Sequence, residues 1–83
     1  MAAVWVTWTD ASSDVNGWTH IADLDTNPTL VHTVGILLPE AEGGRPGHLS
    51  IYQSRIVGTD QVDSVIHIPQ GMIRTIKVLL DAV

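Results

Sequence analysis

The segment S-V-I-H-I-P-Q-G-M-I-R-T-I-K-V-L-L, from Ser64 to Leu80, decides the fold that the sequence predicts. It opens with a short β-prone run that stops at Pro69. Proline fixes φ and glycine permits φ values that other residues avoid, so Pro69-Gln70-Gly71 indicates a tight turn. Apolar, largely β-branched residues then resume, which is typical of a strand. A strand, a tight turn and a last strand are how small SH3-like and Sm-like barrels close.

A helix that begins at Pro69 is the alternative for this segment, because the apolar residues at 72, 73, 76 and 80 also fit helical spacing. Gly71 near the start of such a helix and the Ile, Thr and Val content weigh against it. We therefore expect a strand after Met72.

The rest of the chain alternates β-prone runs with turn-forming segments. Strands are predicted over 3–9, 30–38 and 48–56, while 18–24 is either a short strand or a segment fixed by Trp18. Apolar residues on both faces of the first strand indicate that both faces are covered, and Gly35 indicates a bulge or sharp bend. Turns or loops are expected over 10–17, 25–29 and 39–47 and around Gly58. The spacing gives five strands, and the sequence predicts one all-β domain, 1–83, folded as a five-stranded SH3-like or Sm-like barrel.

Composition predicts self-association. A domain of 83 residues buries only about 60% of its unfolded surface. Without cysteine there are no disulfides, thiolate metal sites or Cys nucleophiles. Hydrophobic residues make up 45% of the chain and charged residues only 16%. Few charged side chains are thus available to cover the large surface, relative to volume, of a small protein. We therefore expect a homo-oligomer that buries apolar surface between its subunits.

The net charge of −5 argues against generic binding of DNA or RNA through phosphates. A local basic pocket for one small anion stays open, because a symmetric oligomer can bring arginines of several chains together. The sequence contains no apolar run as long as a membrane span and does not open with a signal peptide. The expected compartment is the cytoplasm.

No motif for catalysis or for a cofactor is found. The best metal cluster is His20 with Asp23 and Asp25, but its spacing matches no zinc template. The chain lacks G-x-S-x-G, HExxH and a phosphate loop, since Gly43-Gly44 has no following Lys and helix. We expect neither an enzyme nor a bound metal or cofactor.

Two arginines carry the hypothesis of an anion site. Arg55 follows an aromatic and two polar residues at a strand end, and Arg74 follows the predicted closing turn. Arginine forks and turn amides suit planar anions such as phosphate, although ordinary surface positions explain each residue taken singly. Trp5, Trp8 and Trp18 are either core residues or stacking platforms. The predicted ligand-binding residues are Arg55 and Arg74 for phosphate, Gln53, Ser54 and Gln70 for hydrogen bonds, and Tyr52 or Trp18 for stacking.

Several stretches in order resemble a family of small bacteriophage proteins. These are V-T-W-T-D-A near the start, Trp18, T-V-G-I-L-L, L-S-I-Y-Q-S and I-P-Q-G-M-I-R-T-I-K-V-L. The resemblance breaks over 40–47, and Tyr52 stands where the family more often has a small residue. The family is mostly uncharacterised, so the resemblance implies a phage origin and no established activity.

A phage origin suggests three roles for a small acidic β protein. The most concrete is an anti-defence sponge that sequesters a nucleotide-derived immune signal of the host, such as a cyclic nucleotide or an ADP-ribose derivative, between subunits in the cytoplasm of the infected cell. The alternatives are an inhibitor that contacts a host protein and a minor structural or regulatory component of the phage.

Overall fold

The computed structural model describes residues 1–10, 18–24 and 27–81, the side chains of residues 80 and 81 excepted. The predicted turn over 10–17 and part of that over 25–29 thus lie outside the described residues. The strands are β1 (Ala2–Asp10), β2 (Thr29–Leu38), β3 (His48–Tyr52), β4 (Ser54–Arg55), β5 (Val62–Asp63), β6 (Ile66–Pro69) and β7 (Ile73–Asp81). Three short 3₁₀ turns cover Ile21–Asp23, Glu40–Glu42 and Gln70–Met72. The prediction of an all-β fold is confirmed for this part of the chain, which has no helix that could cross a membrane.

Five strands form one antiparallel sheet in the order β6-β3-β2-β1-β7, and β4 and β5 form a separate two-stranded hairpin. The predicted strand after Met72 is confirmed: β7 pairs with β1 along its length, from Trp8↔Ile73 to Ala2↔Asp81, with two register shifts. The helical alternative for this segment is therefore wrong.

The predicted closure into a barrel is wrong. Although β6 and β7 are consecutive, they lie at opposite edges of the sheet, and no ladder joins them among the described residues. β6 has only four residues and pairs with β3, whereas the 3₁₀ turn over Gln70–Met72 leads β7 along β1. A barrel needs its first and last strands to share hydrogen bonds, so this sheet keeps two open edges.

β2 joins two parts of the sheet, because it pairs with β1 up to Ile36 and with β3 from Ile36 to Leu38. A bulge or a sharp bend was predicted at Gly35, and the bulge is absent because no register shift interrupts the ladder of β2 with β1. Glycine is needed there for another reason: a Cβ would lie 2.3 Å from Cγ2 of Ile51.

Two further predictions from the sequence need correction. The strand expected over 48–56 ends at Tyr52, and the chain resumes as β4, which pairs with β5 instead of the main sheet. The segment 18–24 contains a 3₁₀ turn instead of a strand, and Trp18 does not fix it, because its side chain is fully exposed.

The core lies on one face of the sheet. Val4, Val6 and Trp8 of β1 alternate toward it and pack with Ile51 and Ile68. Burying each aliphatic side chain of this kind contributes about 1.5–3 kcal/mol. The indole N–H of Trp8 donates to Oγ1 of Thr33 at 2.9 Å, so this tryptophan is a satisfied core residue. The opposite face of β1, which carries Trp5, is open to solvent in the single chain.

Candidate functional site

A groove lies where the β4–β5 hairpin faces the ends of β2 and β3. Its main cavity has a volume of about 750 Å³ and adjoins a second of about 520 Å³. Volumes of this size are typical of sites for small molecules. Residues that line both cavities are Met1, Ile36, Tyr52, Arg55 and Asp60, and Gln53, Val57, Gly58 and Thr59 line the larger one.

Arg55 is the one Lys or Arg side chain among the described residues that line this groove. Its Nε donates to the carbonyl oxygen of Thr59 at 2.7 Å. The turn that presents this carbonyl depends on Gly58 at φ +77°, and it is closed by the hydroxyl of Thr59, which donates to the carbonyl of Ile56 at 2.8 Å. No further hydrogen bond or ion pair joins the guanidinium to a described residue, so its two terminal amino groups are available to an anion.

Tyr52 forms a wall of the groove. It ends β3 opposite Ile36, and only 4% of its surface is exposed. Its hydroxyl forms no hydrogen bond with a described residue. Every buried side-chain oxygen in the described part of the chain has a hydrogen-bond partner, so this hydroxyl must be accessible to solvent. Tyr52 therefore offers a ligand its hydroxyl, while its ring is packed.

The groove also carries negative charge. Asp60 lines both cavities and Glu42 lines the smaller one. Carboxylates accept hydrogen bonds from neutral hydroxyl groups such as those of ribose, whereas arginine prefers phosphate. The groove thus suits a ligand that has both an anionic and a hydroxyl-bearing part.

The structure places the other predicted site residues in different environments. Gln53 lines the groove, but its side-chain amide donates to the carbonyl of Val34. Ser54 pairs with Asp63 and lines a smaller cavity, which also contacts Arg55. Gln70 lies in the 3₁₀ turn before β7, where its backbone N–H donates to the carbonyl of Gly47 at 3.1 Å.

Arg74 does not reach the groove within one chain. Its Nε donates to Oγ1 of Thr9 at 2.9 Å. Thr9 lies near the C-terminal end of β1, whereas Met1, which lines the groove, precedes the N-terminal end of this strand, about 25 Å away. Trp18 is fully exposed, so its indole stacks on nothing within the described chain.

The sequence did not predict that the loop between β4 and β5 belongs to the site. The turn around Gly58-Thr59-Asp60 is visible in the sequence, but its position beside Arg55 follows only from the pairing of β4 with β5. The sequence did contain one indication of this site, because Arg55 and Asp60 lie on either side of the predicted tight turn at Gly58.

A second polar cluster holds β3 to β6. Oγ of Ser50 lies 2.6 Å from Nδ1 of His67 and accepts a hydrogen bond from the backbone N–H of Arg45 at 3.0 Å. Burial lowers the pKa of His67, and its electrostatic interactions with Arg45 and then with His48 lower it further. Ser50 is 1% exposed, so its contact with His67 is structural.

The described residues contain no group of three potential metal ligands. The cluster considered from the sequence is described only at His20 and Asp23, since Asp25 lies outside the described residues.

Comparisons of the chain with protein-family models, curated proteins and solved structures found no match. The resemblance to small phage proteins therefore stays a hypothesis that rests on sequence motifs.

Proposed function

We propose that the chain is a non-enzymatic binding protein that takes a small, anionic, nucleotide-derived molecule into the groove beside Arg55. The observation that carries the proposal is the guanidinium itself, which is fixed through Nε and presents free amino groups to a cavity of about 750 Å³. An arginine held in this way loses little conformational entropy when it binds a phosphate.

The groove offers one kind of contact to each part of a nucleotide. Arg55 binds phosphate, the carboxylate of Asp60 accepts a hydrogen bond from a ribose hydroxyl, and the hydroxyl of Tyr52 donates or accepts. Apolar walls from Ile36 and Val57 contact the base.

The biological role that we propose is sequestration. A phage protein of this kind binds a cyclic nucleotide or an ADP-ribose derivative that signals infection, and hides it in the cytoplasm of the host. Subunits of a homo-oligomer bring Arg74, Gln70, Ser54 or Trp18 of a second copy toward the groove of the first. The ligand is held without hydrolysis, so it is recovered intact after the protein is denatured.

Calorimetry against cyclic di- and trinucleotides and ADP-ribose derivatives tests this proposal. Arg55→Gln removes the charge-assisted contacts, so we expect it to weaken binding by about ten- to a hundredfold. Arg45→Gln is the matched control, because Arg45 is exposed and does not line the groove. Equal loss of affinity in both variants, or no heat with any ligand, would contradict the proposal.

A second candidate function is inhibition of a host protein by direct contact, and a third is a minor structural or regulatory role in the phage. The exposed apolar residues of the edge strand β7, namely Ile76, Val78 and Leu79, favour a protein partner. A pull-down from host lysate that returns one stoichiometric polypeptide, together with a silent ligand screen, would favour this function over sequestration.

A further inference from the structure

The face of the sheet opposite the core has the composition of a binding surface. We call it the Trp5 face. By strand alternation and register it carries Trp5, Thr7 and Thr9 of β1, Leu30, His32 and Val34 of β2, and Thr75 and Lys77 of β7. This face, about three strands wide, thus presents one aromatic ring among hydroxyl groups, a lysine and the exposed aliphatic side chains of Leu30 and Val34.

Trp5 is held in place before any ligand arrives. Its indole N–H donates to Nδ1 of His32 at 3.0 Å, and the two rings meet edge to face at a centroid distance of 5.3 Å. Oγ1 of Thr7 lies 3.0 Å from the same nitrogen. The indole nevertheless keeps 41% of its surface exposed. A ring that is fixed at its edge and open to solvent is a stacking platform that loses little entropy on binding.

The charge on this face opposes that of the whole chain. Lys77 of β7 lies directly opposite Trp5 of β1 in the strand register. The guanidinium of Arg74 reaches the same face, where it donates to Oγ1 of Thr9. Two of the four Lys and Arg residues of the chain are therefore here. β2 has no carboxylate, and those of β1 and β7 stand only at their last residues, Asp10 and Asp81. On a chain of net charge −5, this face is a locally basic strip.

Trp5, Thr7, Thr75 and Lys77 together line a shallow cavity of about 200 Å³. We propose that this cavity binds a nucleobase with its phosphate, the base stacked on Trp5 and the phosphate held by Lys77 and the hydroxyl of Thr75. Bases stack on aromatic side chains whatever their identity, and lysine and hydroxyl groups are phosphate donors. The site is distinct from the groove beside Arg55.

Charge decides between this ligand and a second copy of the chain. A symmetric contact between two Trp5 faces would bring Lys77 and Arg74 of both copies onto one basic surface. Such like-charge contacts are unfavourable, whereas an anion neutralises them. The shared chemistry of base and phosphate has two sources, a free nucleotide and a single-stranded nucleic acid.

NMR titration of the full chain with adenosine 5′-monophosphate and with hexathymidylate tests the inference and separates the two sources. We expect the indole N–H signal of Trp5 and the amide of Lys77 to shift with both probes. Binding of the hexamer at least about tenfold tighter than that of the mononucleotide identifies single-stranded nucleic acid, because Arg74 supplies a second phosphate contact. Equal affinities identify the free nucleotide.

Variants assign the binding to this face. Trp5→Leu should weaken it about tenfold or more and Lys77→Gln about three- to tenfold, while Trp5→Tyr retains most of the affinity because it keeps an aromatic ring. Trp18→Leu and Arg55→Gln are the controls for an exposed indole and for the groove, and neither should change the ligand-induced shifts of the Trp5 indole and the Lys77 amide. Loss of binding with Arg55→Gln alone would place the nucleotide in the groove and overturn this inference without touching the proposed function. Signals that move only with protein concentration, or none with either probe to about 10 mM, would also overturn it.

Discussion

Gly35 occupies a place in β2 where the chain has no room for a side chain. A Cβ there would lie 2.3 Å from Cγ2 of Ile51 and 2.9 Å from the carbonyl oxygen of Tyr52. The first neighbour is a fully buried core residue and the second is backbone, so neither moves without cost. The small residue at 35 thus allows β3 and its groove-lining Tyr52 to pack against β2.

We predict that Gly35→Ala lowers the free energy of unfolding by about 1–3 kcal/mol, the usual cost of overpacking a core. Gly71→Ala is the control, because a Cβ at Gly71 meets nothing within 4 Å and its φ is not positive. That variant should be neutral or stabilising by about 0.4–1 kcal/mol. Urea denaturation measures both, and equal stability of the two variants would show that β2 and β3 separate easily.

His67 gives the fold a dependence on pH. Its pKa is lowered below the ordinary value of 6.5, chiefly by burial and then by Arg45 and His48. The folded state therefore binds this proton less readily than the unfolded state. The contribution to stability is complete above pH 6.5 and is lost as the pH falls through the lowered pKa of the folded state.

We expect the melting temperature to fall between about pH 7.5 and pH 5, and His67→Gln to reduce that fall. A glutamine keeps an acceptor for the hydroxyl of Ser50, which lies 2.6 Å from the imidazole nitrogen, without titrating. His20→Gln is the control, since His20 is exposed and lies outside this cluster. Identical pH profiles for the wild-type protein and His67→Gln would exclude His67 as the source.

At the scale of elements, local sequence predicted the strands better than their partners. The β-branched residues after Met72 and the alternation in β1 were sufficient to place β7 and to divide β1 into a core face and a second face. The break after Tyr52 was not predictable from alternation, because the alternating pattern continues past Gln53 to Ser54. The strand divides at Gln53 because β3 pairs with β2 and β6, whereas β4 pairs with β5.

The part of the candidate site that is local in the sequence was predictable, and the part that depends on strand order was not. Tyr52, Gln53 and Arg55 share the groove because they are neighbours in the chain. Arg74 was expected to join them through closure of a barrel, which is a long-range property. Strand order determines that Arg74 lies beside Thr9 instead, and no local pattern in the sequence encodes strand order.

The whole chain exposes more surface than a protein of its mass usually does. Its accessible area is 6350 Å², whereas a monomer of 9.0 kDa is expected to expose about 4,850 Å². Its radius of gyration is 16.2 Å against about 12 Å for a compact domain of this length. The excess of about 1,500 Å² exceeds the roughly 800 Å² per partner that an interface of standard size buries.

The outer edge of β7 is where we expect that surface to be covered by a second copy. This strand of nine residues ends the sheet order, and its side chains Ile76, Val78 and Leu79 are 49%, 59% and 47% exposed. Long apolar edges invite pairing with another strand. An antiparallel pair of β7 strands about a twofold axis at Ile76 sets Lys77 against Thr75, which avoids a like-charge pair.

Light scattering coupled to size-exclusion chromatography should therefore report a dimer or a larger assembly at micromolar concentration. Ile76→Lys should shift the population to the monomer, because two lysines would face each other at the axis of the paired strands. Ile21→Lys is the matched control: Ile21 is 86% exposed and lies outside the sheet, so the same change there should leave the assembly intact. A wild-type particle of 9.0 kDa would contradict the prediction and leave the apolar edge of β7 to a different protein partner.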